Sequence, residues 1–259
     1  MMRKLLPEPA SDVDPMELYP SLARPRPASR PWLMLNMISA ADGASAINGV
    51  SEPLGNPADQ AVFSAVRACA DWIVAAADTV RIERYQIPRP SQAARRARLA
   101  AGRPEQPGLA VVSGSLDLAS DLPLFADQRP GERLPLILTG RSADPEAVEA
   151  LSGVAEVVRL ASPQPQPAEI MAELQRRGAD VVLSEGGPTF NWQLADAAMI
   201  DELCLSVAPL LAGGDSTRIV HGSRQSLPLE LRMDHLLEEC GTLFVRYLCS
   251  GRRKPGPKQ

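Results

Sequence analysis

The chain reads as an α/β layer fold, a three-layer α/β/α arrangement in which helices cover both faces of a mostly parallel sheet. Three observations predict it. Apolar runs of strand length recur along the chain, capped helical segments stand between them, and the runs are near-continuously apolar, as strands covered on both faces are.

Residues 1–31 hold seven prolines and no lasting periodicity, which predicts an arm that drapes or stays mobile. Order is expected from Trp32, where residues 32–38 form the first apolar strand run. A polar, glycine-bearing loop follows over 39–55. Asn56 and Pro57 then read as an N-cap followed by proline in the first helical turn. Ala61, Val62, Ala65, Val66, Cys69 and Ala70 fall on one side of that helix. Residues 72–76 are the next buried strand.

Residues 83–107 are rich in arginine and proline and predict a surface loop with one helical turn, its charge run read as a solvated face in preference to a phosphate grip. Strands recur at 109–112 and 134–139, then a helix over 144–151, a strand near Val157 and a helix over 169–177. A strand at 180–184 and a helix at 189–197 follow. Strands at 202–208 and 243–248 close the sheet, and with no helix evident between them they are expected to pair antiparallel. The folded domain is thus expected over 32–250, with a basic tail at 251–259.

Scarce residues narrow the chemistry. With 27 basic against 31 acidic side chains the net charge is −4, which argues against a nucleic-acid or membrane-surface binder. No apolar run approaches the roughly 20 residues that span a bilayer, and the N-terminus lacks a signal-like core, so a cytoplasmic protein is expected. The two histidines, His221 and His235, and the four cysteines show no ligand spacing, so no metal site is expected. Lys4, Lys254 and Lys258 are the only lysines, which leaves none inside for a Schiff base or a P-loop. Chemistry carried by a bound cofactor fits this inventory best.

Open α/β sheets bind ligands beyond the carboxyl ends of their strands. Three segments sit there. In Ser184-Glu-Gly-Gly-Pro-Thr189 two glycines let backbone approach a ligand and a helix start offers amide donors to phosphate, although glycines also make plain turns. Glu185 either serves that ligand or bonds loop amides. In residues 76–80, Thr79 either reaches a ligand or caps the next turn. In residues 36–43, Asn36 is an amide inside an apolar strand, either a satisfied core group or a reader of substrate.

Together these segments, with Asp59 through Arg67 to Val80 and the later Asp201-Glu-Leu and Ala208-Pro209 to Gly213-Gly214, resemble the riboflavin-biosynthesis pyrimidine reductase family over about residues 30–249. The resemblance implies a dihydrofolate-reductase-like fold, NADPH as cofactor, an aminouracil substrate and a homodimer, without the zinc deaminase to which such domains are often fused. It implies cofactor contacts from Ala76, Asp78, Thr79, Ser113, Thr139, Glu185, Gly186, Gly187 and Thr189. Asn36, Ser39, Asp42 and Arg81 would face the substrate, with Asn36 and Asp42 the candidates for catalysis. Ala76 and Asp78 stand where the family often has glycines. Residues 81–85 replace a segment tied to the substrate's ribose phosphate, which keeps a pterin, such as dihydrofolate, open as the alternative substrate. A non-catalytic NADPH-binding module is the alternative to an enzyme.

Overall fold

The computed structural model describes residues 1–223 and 228–252. In chain order the elements are β1 (Arg3–Leu6), α1 (Pro15–Ser21), β2 (Trp32–Ala40), a 3-10 turn (Glu52–Leu54), α2 (Pro57–Ala68), β3 (Trp72–Ala76), α3 (Ala77–Ile82), α4 (Gln92–Ala100), β4 (Gly108–Val112) and α5 (Pro123–Ala126). There follow β5 (Leu136–Thr139), α6 (Pro145–Leu151), β6 (Glu156–Arg159), α7 (Pro167–Arg176), β7 (Val181–Ser184), α8 (Pro188–Asp196), β8 (Glu202–Ala208), β9 (Leu229–Glu239) and β10 (Thr242–Arg252).

Successive residues of the central strands point into two different cores. Leu33, Leu35, Trp72, Val74, Ala110, Leu136 and Leu138 pack on one face with α7 and α8. Met34, Ile73, Ala75, Leu109, Val111 and Ile137 pack on the other, with α2 and α5. Side chains alternate across a strand, so a strand covered on both faces must be apolar at every position, and that is why these runs read as continuous. Among the described residues the strands form one sheet, ordered β1-β9-β10-β8-β2-β7-β3-β4-β5-β6. The seven strands from β8 to β6 are parallel, and β10, β9 and β1 extend the sheet antiparallel. The mostly parallel sheet with antiparallel C-terminal strands is the architecture expected.

The N-terminal segment drapes, and it does so with structure the proline count hides. Strand β1 pairs with β9 at the sheet edge, and Asp14 caps α1, whose Tyr19 is fully buried. Beyond the helix, Arg24 forks onto Glu202 with both bonds at 3.0 Å. Glu202 also receives Arg246 from β10 at 2.8 and 3.0 Å and the Trp32 indole N–H at 3.1 Å. Two guanidiniums and an indole satisfy one buried carboxylate, which is what makes its burial tolerable.

Residues 83–107 correct the solvated-loop reading. Ser91 caps a nine-residue helix, α4, and Arg98 on it is buried. Its guanidinium donates to the carbonyls of Ala68 and Ala70 at the end of α2, and its Nε to Pro104 O at 2.8 Å. Orphan carbonyls of a helix end, not water, solvate this charge. Two further corrections are smaller. Ala61 is exposed and Ala58 takes its place on the buried side of α2. Strand β9 is additional, although Leu229, Leu231 and Met233 alternating with Glu230, Arg232 and Asp234 carry its two-residue period. Of the expected tail, Gly251 and Arg252 end β10, and the remainder lies outside the described residues. No helix among the described residues is long and apolar enough to cross a membrane.

Candidate active site

The carboxyl ends of β2, β7 and β3 open into a cleft of about 570 Å³. Register explains which residues meet there. Leu35 of β2 and Val74 of β3 both lie beside Ser184, the last residue of β7, and β2 continues past this point along β8, so Asn36 to Ile38 face the opening where β7 ends. Helix α2 forms one wall, the 3-10 turn and the loop before it another, and the start of α8 a third.

Helix α2 is fixed by its cap. The Asn56 side chain accepts from Asp59 N at 2.9 Å and donates to Thr242 Oγ1 on β10 at 2.8 Å, which ties the helix start to the sheet. Asp59, Phe63 and Arg67 then follow at four-residue spacing and share the face toward the cleft. Burial pushes the Asp59 carboxyl above the ordinary carboxylate range, with a hydrogen bond from Ser206 acting the other way. Arg67 forks onto Glu185, Nε to Oε1 and Nη2 to Oε2 both at 2.7 Å, while lying 4.1 Å above the Phe63 ring. The Tyr85 hydroxyl donates to the same carboxylate at 2.8 Å.

At α8, Gly187 is the N-cap and no side chain caps the helix. Pro188 has no N–H, so Thr189 and Phe190 supply the helix-start amides that favour an anion. Gly186 and Gly187 have φ of +103° and +35°, conformations that side-chain-bearing residues rarely adopt. The Gly187 amide donates to Thr79 Oγ1 at 2.9 Å, and a Cβ on Gly187 would lie 2.9 Å from the Ala76 methyl. Thr79 therefore braces the glycine turn from α3.

Of the residues named from sequence, Asn36, Thr79, Glu185, Gly186 and Gly187 line the cleft together. The Asn36 amide has no hydrogen-bond partner among the described residues, so it is open to a ligand. Ala76 packs beneath Gly187, and exposed Thr189 stands at the helix start. Ser113, directly after β4, and Thr139, the last residue of β5, follow the same edge one and two strands beyond β3. The Thr139 hydroxyl is buried without a protein partner, whereas Ser113 Oγ accepts from Leu116 N at 2.9 Å.

Others stand apart from the lining. Ser39 is buried in β2. Asp42 is exposed, and the amides of Gly213 and Ala44 hold its carboxyl below the usual range, so it ties the loop after β2 to the loop after β8. Arg81 pairs with Asp78 and with Asp117. The sequence reading assigns no site role to Arg67, Tyr85 or Asp59, and the shared helix face of 59, 63 and 67 is the signal available for two of them.

The sequence profile of the RibD C-terminal domain matches residues 31–243. The chain belongs to that family. Among RibD C-terminal domain relatives, the 2,5-diamino-6-ribosylamino-4(3H)-pyrimidinone 5′-phosphate reductase of Methanothermobacter thermautotrophicus is 28% identical over 229 residues, covering 86% of this chain and all of the relative. That of Archaeoglobus fulgidus is 25% identical, covering 74% of this chain and 87% of the relative. A pyrimidine reductase-like protein of Corynebacterium diphtheriae superposes with a TM-score of 0.79 at 26% identity, covering 92% of this chain and 99% of that structure. The two archaeal relatives carry reductase in their names, and each is matched over most of its length.

Proposed function

We propose that this RibD-type domain is an NADPH-dependent reductase of a ribosylaminopyrimidine, the aminouracil or its 2-amino counterpart, on the route to riboflavin. One observation carries the reading. The uncapped α8 start with its two glycines and the unpartnered Asn36 amide open into the same cleft, so a diphosphate-type donor set and a substrate-type polar group are juxtaposed. The buried, unpaired Thr139 hydroxyl along the same strand edge fits the far half of an extended dinucleotide.

The chemistry NADPH would supply when bound is a hydride from nicotinamide C4, which with one proton would reduce the ribosyl imine to an amine. The chain does the rest. Amides at Thr189 and Phe190, at the start of α8, would hold the diphosphate, with Gly186 and Gly187 allowing close approach. Asn36 orients the pyrimidine. Asp59, which lines the cleft and whose burial makes it retain a proton more readily than an exposed carboxylate, is the group assigned to return one to the nitrogen that gains the electron pair. The Arg67–Glu185–Tyr85 group holds α2 to the glycine turn, which keeps the two bound reactants juxtaposed, a contribution worth up to roughly 7–11 kcal/mol in favourable cases. A cytoplasmic homodimer is the assembly proposed.

A pterin is the second acceptor reading, favoured by the absence of Arg81 from the cleft. Purified protein should oxidise NADPH when the ribosylaminopyrimidinone, offered with and without its 5′-phosphate, is added. Oxidation with dihydrofolate alone would shift the assignment to a pterin reductase. Tight NADPH binding without oxidation by either acceptor would make the domain a binding module.

A further inference from the structure

A second recess, of about 340 Å³, lies at the other edge of the sheet, where Val181 begins β7 and Cys69 caps the end of α2. The N-terminal arm contributes Arg24 and Arg26 to its wall, and Arg103 and Asp180 stand there with them. Arg24 is committed, with Nε and Nη2 on Glu202 and Nη1 on the carbonyls of Tyr19 and Leu22. The other two are not. Arg103 gives only its Nε, to Asp71 Oδ1 at 3.1 Å, and Arg26 only its Nη1, to Asp180 at 2.9 Å. Both Nη groups of Arg103, and Nε and Nη2 of Arg26, have no partner among the described residues. Asp71 has little left to offer, since its Oδ2 takes the amides of Asp180 and Val181 at 2.9 and 2.8 Å.

Next to this wall is a buried cation with no counter-charge. Arg98, 1% exposed, donates to the carbonyls of Ala68 and Ala70, on either side of Cys69, and to Pro104 O, and pairs with no carboxylate among the described residues. Its Nη2 is buried without any partner among them. Burial pulls the guanidinium down to about 10, with Asp71 opposing that fall and Arg103 adding to it. Carbonyl dipoles can solvate such a charge but cannot neutralise it, and buried charges are normally paired. Arg24 and Arg246 balance Glu202 and Asp234, whereas Arg26, Arg98 and Arg103 face only Asp71 and Asp180. One positive charge is left over, beside guanidinium donors that are free to bind.

We propose that this recess is an oxyanion site, in which the free donors of Arg26 and Arg103 hold a phosphate group that serves as the missing counter-charge. The planar fork of a guanidinium matches two phosphate oxygens, a directional fit that chloride lacks. Such an anion links the arm, through Arg26, to the segment after α4, through Arg103, so its binding fastens the arm to the domain. Arg24 and Arg26 precede the matched family region, residues 31–243, so part of the site belongs to this chain's own extension. The recess shares no residue with the cleft, and the inference stands whether or not the reductase reading does. Inorganic phosphate and the phosphate monoester of a small metabolite present the same chemistry to it.

Melting of the full chain in phosphate, against sodium chloride of equal ionic strength, tests the site. About 10 mM phosphate should raise the wild-type melting temperature by about 3 °C or more over the chloride control. Arg103→Gln and Arg26→Gln should each lose at least half of that rise, whatever their own starting stability. No rise over chloride overturns the proposal. A rise undiminished in Arg26→Gln also overturns it, by placing the anion elsewhere, such as the α8 start. Should Arg103→Gln fail to fold, Arg26→Gln decides alone, because its side chain is 48% exposed and its ion pair is a surface one. Calorimetric titration with inorganic phosphate and with glycerol phosphate then identifies the source. Binding of glycerol phosphate at least about threefold tighter assigns a monoester, equal or weaker binding assigns the free ion, and binding of neither overturns the site.

Discussion

Arg67 and Glu185 meet across 118 residues of sequence in a two-pronged ion pair, both bonds 2.7 Å long, with the carboxylate side chain 2% exposed. Tyr85 completes the group with its own bond to Glu185, and burial pushes its phenol well above the ordinary range. The pair joins the helix after β2 to the turn after β7, the two walls between which reactants would lie.

Arg67→Ala should therefore be costly. It leaves a buried carboxylate with one neutral donor, a loss of about 3–5 kcal/mol by comparison with other broken buried pairs. Glu185→Gln leaves the more accessible partner uncompensated and should cost less. Chemical denaturation of both variants checks the order, and equal losses would mean that water already reaches Glu185.

Gly187→Ala places a methyl 2.9 Å from the Ala76 methyl and 3.3 Å from Thr79 Oγ1. Strain and overpacking should together cost about 2 kcal/mol or more and weaken NADPH binding. Adding Ala76→Gly removes the nearer clash and should restore part of both losses. A double-mutant cycle read by fluorescence titration and melting checks this, and strict additivity would show that the two residues do not press on each other.

Asp59 carries a pH signature with a definite sign. Its folded-state pKa is raised above the ordinary 3.8, so below that value both folded and unfolded forms are protonated and nothing is lost. As pH rises the unfolded chain ionises first, and stability falls until the folded carboxyl ionises too. Asp59→Asn removes this slope. Melting temperatures measured across pH 4–7 should show the variant gaining on the wild type as pH rises, while its turnover falls by roughly 10²-fold or more if the carboxyl delivers the proton.

Arg24→Ala tests the arm. Glu202 would keep Arg246 and the Trp32 indole but lose one of two buried guanidiniums, and stability should fall by about 3 kcal/mol. Protection of the β10 amides in hydrogen exchange should fall with it. An unchanged melting temperature would mean that the arm only rests on the sheet.

The alternation of strands and helices was legible because it is written locally. Two faces of burial make residues such as 33–35, 72–74 and 136–138 apolar without a break, and Asn56-Pro57 declares its cap within three residues. The edge at which ligands meet was legible for the same reason, since Gly186-Gly187 directly follows a buried strand. Arg98 was misread because an arginine run looks alike whether water or a helix end accepts its hydrogen bonds. Arg67 went unassigned because nothing near it in the chain names its partner.

By itself, then, the sequence determined which segments become strands and helices, where the mostly parallel sheet carries its ligand edge, and the family to which that edge belongs. Tertiary structure alone decided that Arg67 answers Glu185, that Arg81 turns away from the cleft and that Asp59 enters it. Periodicity and capping depend on neighbours a few residues apart, whereas the sign and solvation of a charge in a cleft depend on groups brought together from distant elements.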